Sequence, residues 1–185
     1  MSFSECVIAK MRGRWRDVYE YADGSRVVGT WADNQIQNSA APLVAALLKG
    51  EAAANPSFLS LGYMVLGSGD VTWDAAAPTQ PKTQTTLENE SFRKETSFVN
   101  TAWLDDFSGD GGVVVVGPST VISMSVRFES SEANGSLREF GLFGGLATSA
   151  PDSGMMFNWI VHPKIDKDAS FSIVRTVEIK IAYPV

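Results

Sequence analysis

An enzyme needs a nucleophile, a base or a metal, and the 185-residue chain offers Cys6 as its sole thiol and His162 as its sole imidazole. They stand at opposite ends of the sequence, and His162 lies in Val161-His162-Pro163-Lys164, where a strand runs into a turn. Neither is read as catalytic. Gly67-Ser68-Gly69-Asp70 has the composition of a phosphate-cradling turn, but the lysine and the helix that complete a P-loop do not follow it. Asp105, Asp106, Asp110 and Gly111 offer oxygen ligands of the calcium type without the alternating spacing and terminal glutamate of an EF-hand, and read as an acidic turn. Glu88 and Glu90 are paired carboxylates, yet the acidic and aromatic groups that a small glycosidase spreads over several loops are missing. One cysteine permits neither an internal disulfide nor the paired thiolates of a zinc site. The expectation is a protein that is not an enzyme, with no catalytic, cofactor-binding or metal-ligating residue.

Charge narrows the partners. Fifteen Lys and Arg against 21 Asp and Glu give a net charge of -6, the reverse of a general nucleic-acid binder. One local exception stands out: Lys10, Arg12, Arg14 and Arg16 alternate, so a strand would carry the arginines on one face. That face reads either as a phosphate or partner contact or, by expectation, as a solvated surface. No apolar run approaches the roughly 18 residues of a membrane span, and the short apolar patch Cys6-Val7-Ile8-Ala9 precedes the basic residues, opposite to a secretory signal. Synthesis and folding in a cytoplasm are expected.

The elements that position these residues are mostly strands. A chain of this length buries about 70% of its unfolded surface without disulfide or metal, and Gly, Asp, Asn and Ser clusters divide it into segments of period two. The pattern predicts a mainly β protein: an antiparallel, jelly-roll-like β-sandwich with one short helix and long loops. Residues 1–13 form an N-terminal arm and residues 14–185 a single domain. Residues 14–21 and 25–31 flank Asp23-Gly24, a type I′ turn pair. In the first of these strands Trp15, Asp17, Tyr19 and Tyr21 share one face. A helix opens at Asn38 or Ser39, carries Pro42 in its first turn and closes at Gly50, with Leu43, Val44, Leu47 and Leu48 as its apolar stripe. Further strands are expected over residues 55–66, 97–104, 113–116, 122–129, 137–143, 155–161 and 171–183, and residues 74–86 form a surface loop suited to a partner.

Two charges fall on faces that otherwise point inward. Arg175 stands between Ile173 and Val177, and Glu139 shares a face with Leu137, Gly141 and Phe143. A buried charge needs a partner, so Glu139 or Glu90 is expected to pair with Arg175, Arg93 or Arg127, as a structural rather than catalytic ion pair. Trp15, Trp31, Trp73 and Trp103, four of five tryptophans, fall near predicted strand ends or loops and are candidate interface anchors; the alternative places half of them in the core.

Three stretches in fixed order carry a resemblance. They are Trp31-Ala32-Asp33-Asn34-Gln35-Ile36-Gln37-Asn38 before the helix; Leu66-Gly67-Ser68-Gly69 with Leu87-Glu88-Asn89-Glu90-Ser91-Phe92-Arg93 after the loop; and Arg138-Glu139-Phe140-Gly141-Leu142-Phe143. Over roughly residues 30–183 this order resembles the particle-attached N-terminal domain of tailed-bacteriophage tail-collar and tail-fibre proteins, with Leu87, Glu90 and Arg93 matching one motif and Arg138, Glu139, Gly141, Leu142 and Phe143 the other. The resemblance implies a non-enzymatic virion structural protein, a tail, collar or baseplate adaptor or fibre-attachment subunit. Its implied partners are other virion proteins and further copies of itself, not nucleic acid or membrane. The chain stops at Val185 without a repetitive shaft, so a capsid decoration protein is the alternative placement. A carbohydrate-binding module or small hydrolase on the same sandwich is the alternative class.

Overall fold

The structure is a computed structural model and describes residues 10–55, 57–96, 101–107 and 112–182. Among them run β1 (Lys10–Tyr21), β2 (Arg26–Val28), β3 (Ala32–Asn34), α1 (Ala40–Lys49), α2 (Glu51–Ala54), β4 (Leu59–Gly67), β5 (Glu90–Glu95), β6 (Thr101–Leu104), β7 (Val114–Val115), β8 (Val121–Phe128), β9 (Gly135–Gly145), β10 (Met155–Lys167) and β11 (Phe171–Ala182). They build two antiparallel sheets. One has the order β2-β1-β11-β8-β6-β7, with β3 also paired to β1, and the other the order β10-β9-β4-β5. The protein is mainly β and sandwich-like, as the period-two segments predict.

The core explains the patterning. Met124, Val126 and Phe128 of β8 and Ile173, Val177 and Ile179 of β11 meet Met64 and Leu66 of β4, Leu137, Phe140 and Leu142 of β9 and Phe157 and Ile160 of β10. Each such side chain stabilises the fold by roughly 1.5–3 kcal/mol on full burial. The four-stranded sheet is also covered on its other face, where Val65, Phe143, Met156 and Trp159 lie under Leu87 and Ala147. Burial on both sides is why β4 reads as continuously apolar. Ile181 leaves the pattern and is exposed near the end of β11.

Several local expectations are corrected. β1 begins at Lys10 and pairs with the end of β11, Gly13 opposite Ile179, so residues 10–13 belong to the sheet rather than to an arm. Residues 1–9, with Cys6, lie outside the described residues, as do 97–100 of the strand expected over 97–104. Tyr21 and Ser25 close a three-residue loop in which only Gly24 has a positive φ; this is a type I turn with a G1 bulge, not a type I′ pair. Two helices replace one, because α2 follows directly on Gly50. In α1, Ala40 and Leu43 are buried while Leu48 is exposed. Its N-cap Ser39 donates to the Met156 carbonyl instead of capping the helix, which ties α1 to β10. β5 is an additional strand, and β10 continues through Pro163 to Lys167, with a register shift between Val161 and Ile165.

Candidate functional site

The second and third of the stretches that carry the resemblance meet on the four-stranded sheet. Glu139, fully buried in β9, accepts from the backbone N–H of Glu88 (3.0 Å) and of Asn89 (2.9 Å) and from Trp159 Nε1 (2.7 Å). Its neighbour Arg138 donates to both oxygens of Asp74 and to the Ser68 carbonyl. That guanidinium holds the Asp74 carboxyl below the usual carboxylate range. Arg93 of β5 makes two parallel hydrogen bonds of 2.8 Å to Glu90. It also donates to the carbonyls of Thr148 and Ser153 and lies 4.8 Å over the Phe143 ring. Leu87 is buried against the same cluster. Three charged side chains thus fix three loops, residues 68–74, 87–89 and 148–153, on one rigid sheet.

Glycine is required at two positions here. A Cβ on Gly67 would stand 2.6 Å from Glu139 Oε1 and 2.8 Å from the Asn89 carbonyl, and Gly69, at φ +55°, lies under the Trp73 ring. The Gly67-Ser68-Gly69-Asp70 turn is therefore a packing device. Asp70 accepts from Thr72 and opens the 3-10 turn Val71–Asp74.

Of the expected ion pairs one is present, Glu90 with Arg93; among the described residues Glu139 meets no arginine, and Arg175 is paired with Asp17 instead. Asp17 and Arg175 are directly opposite in the β1–β11 register and share two hydrogen bonds of 2.7 and 2.6 Å. The Arg175 guanidinium lies 4.3 Å from the centre of the Phe140 ring and 5.0 Å from that of Trp15. His162 is not a turn residue. It is buried in β10 between Trp15 and Phe140, with Nδ1 on the Pro163 carbonyl (2.8 Å) and Nε2 facing Arg175 Nη2 at 3.4 Å. Burial, reinforced by Arg175, pushes its pKa down to about 3. A neutral imidazole with both nitrogens engaged is part of the core. Arg127 is paired on the surface with Glu20 and Glu129.

The candidate tryptophans divide. Trp15 packs edge-on against Phe140 at 5.1 Å, and Trp73 packs against Trp159, so both serve the interior. Trp103 is partly exposed on β6, opposite Val115 of β7. Trp31 lies on the outer face of the larger sheet, with Arg14 stacked at 4.2 Å and Arg16 at 4.5 Å from its centre. Arg14 is also bound to Glu178 at 2.6 Å. The basic strand face is thus partly covered by an aromatic ring rather than simply solvated.

The loop of residues 74–86 is exposed along most of its length but anchored: Gln35 donates to the Gln80 carbonyl, Val161 N–H to Gln80 Oε1, and Asn38 N–H to the Lys82 carbonyl. Beneath it, between β1 and β10, opens a cleft of about 700 Å³ lined by Trp15, Asn34, Gln35, Gln80 and His162 among others. Asp105 binds the N–H groups of Asp106 and Val113, Asp106 pairs with Lys180, and Asp110 lies outside the described residues. Among the described residues no group of three His, Cys, Asp or Glu could hold a metal ion. No described helix is long and apolar enough to cross a membrane. A scan against protein-family models finds no match, and neither do searches of the curated proteins and of the solved structures.

Proposed function

We propose that the chain is a non-enzymatic structural subunit of a tailed-bacteriophage virion, an adaptor of the tail, collar or baseplate to which other virion proteins attach. The observation that supports this reading is the convergence of two of the three resembling segments. Leu87, Glu90, Arg93, Arg138, Glu139 and Phe143 come from two separate segments yet form one node, whose hydrogen bonds hold three loops on one sheet. A rigid platform presenting loops suits an attachment subunit, because contacts repeated over many copies give strong assembly from weak single interfaces. Each of the node's buried charges is engaged in holding backbone or a partner side chain.

The test is immunogold labelling and electron cryo-microscopy of phage particles carrying the protein. Label at the neck, tail or baseplate supports the adaptor reading, label over the head moves the protein to capsid decoration, and particles without label overturn a virion role. A second reading, binding of a carbohydrate, draws on the inter-sheet cleft. Its volume lies in the range of small-ligand sites, and it combines an aromatic ring, Trp15, with the amides of Asn34, Gln35 and Gln80. Glycan-array binding lost on Gln80→Ala would favour it.

A further inference from the structure

The arginines of this acidic chain are almost all neutralised internally. Arg14, Arg26, Arg93, Arg127, Arg138 and Arg175 each hold a carboxylate. Arg12 and Arg16 are the exceptions among the described residues, and both belong to the outer face of β1. Arg12 is exposed, and Arg16 is stacked on Trp31. Neither Arg16 Nε nor Trp31 Nε1 has an acceptor among the described residues. The patch continues onto the sheet edge, where Val28 lies opposite Val18 on the same face and is 57% exposed. Arginine, tryptophan and an exposed aliphatic side chain beside an open strand edge are the composition of an interface centre, not of a solvated surface.

One carboxylate without an ion pair among the described residues, Asp33, borders the patch opposite Arg14, and others stand elsewhere. Glu88 and Asp152 are exposed, and neither makes an ion pair among the described residues. Both are held by the node of the other sheet, Glu88 through its N–H on Glu139 and Asp152 through its N–H on Glu90. Their backbone is thus positioned while their side chains are free.

We infer that the Arg12–Arg16–Trp31 patch docks the Glu88 and Asp152 loop end of a second copy of this chain. The inference rests on the proposed role as an assembly subunit. The two surfaces differ, so the contact is head-to-tail: each copy offers one basic patch and one acidic loop end, and repetition closes a ring or extends a filament. A long polyanion such as DNA is disfavoured as the occupant, because the net charge of -6 repels it and two unpaired arginines make too few phosphate contacts. In the docked state the partner's carboxylates accept from Arg12 and Arg16, while Val28 and Trp31 are covered.

The experiment is sedimentation velocity over a concentration series at 50 and 500 mM salt. It compares the full chain, an Arg12→Glu, Arg16→Glu variant and a Glu88→Gln, Asp152→Asn variant, with far-UV circular dichroism confirming each fold. Arg12→Glu alone, at an exposed position, guards against misfolding of the first variant. Wild type is expected to associate in a salt-sensitive manner, and each double variant to weaken association at least tenfold. An equimolar mixture of the two double variants is expected to form discrete dimers that do not grow, since each pair retains only one complete contact. A monomeric wild type, or variants that associate like wild type, would overturn the inference. Double variants that fail to dimerise when mixed would overturn it too. Particle labelling decides the virion role separately: a labelled particle with unaffected variants refutes this contact alone, and an unlabelled particle refutes the role.

Discussion

The buried imidazole of His162 makes the acid sensitivity of the fold calculable. The ring has a folded-state pKa of about 3, because burial and the Arg175 guanidinium oppose a second proton, whereas the unfolded chain restores 6.5. A depressed pKa means that the folded state binds fewer protons than the unfolded one between these values. Stability attributable to this group is therefore fully present above pH 6.5, falls as the pH drops, and levels off below about 3. The linkage relation gives a loss of about 2 kcal/mol at pH 5 and about 3 kcal/mol at pH 4, each a large share of a typical domain's stability. The measurement is urea unfolding followed by tryptophan fluorescence at pH 7.5, 6, 5 and 4, for wild type and for His162→Phe. The variant preserves the stack with Trp15 and Phe140 but cannot titrate. Asp70, Asp74, Asp106 and Asp168, whose pKa values are also lowered by their hydrogen-bond partners, act in both proteins and cancel in the difference. Wild type should lose about 2 kcal/mol more than the variant between pH 7.5 and 5. Equal losses would refute the reasoning, since they would mean that the imidazole is either exposed or protonated in the native state.

Other perturbations separate the two buried charge systems. Asp17→Ala leaves the Arg175 guanidinium buried and unpaired and is expected to cost about 3–5 kcal/mol in urea unfolding, while Asp17→Leu combined with Arg175→Met recovers most of it. Glu139→Gln puts an amide NH2 where N–H donors converge; it should destabilise by about 1–3 kcal/mol and raise hydrogen exchange at the amides of Glu88 and Asn89. Gly67→Ala forces a methyl onto the Glu139 carboxylate and the Asn89 carbonyl, so it should cost about 1–3 kcal/mol and disturb the same amides. Arg12→Glu lies on an exposed position, and its unfolding midpoint should match wild type while self-association falls.

What could be seen in the sequence was periodicity. The alternation of Ile122, Met124, Val126 and Phe128 assigned the inner face of β8, and Asn38, Ser39, Pro42 and Gly50 bounded α1 almost to the residue. Single-sided alternation fails for β9, where every residue from Leu137 to Gly145 is buried because both faces of its sheet are covered. β5 escaped notice for the opposite reason. Its Glu-Ser-Phe-Arg-Lys-Glu stretch carries one large apolar residue, and it is a strand only because β4 offers it an edge.

The charges show where sequence reasoning stops. An arginine between Ile173 and Val177 announces a buried cation, but its partner depends on register between strands 158 positions apart. A usable signal did exist. Asp17 sits between Trp15 and Tyr19 on an inward face as anomalous as that of Arg175, and two anomalies of opposite sign on two inward faces point to each other once the strands are neighbours. Glu139 offers no such signal, because its partners are two backbone N–H groups and an indole, none of which carries a charge to be matched. A carboxylate buried without a cation is held by donors that every residue possesses, so only the folded geometry can name them. The same logic isolates Arg12 and Arg16. Once every other arginine has its acid, the two that do not are conspicuous only in three dimensions, and the solvated strand face of the sequence becomes a surface awaiting a carboxylate.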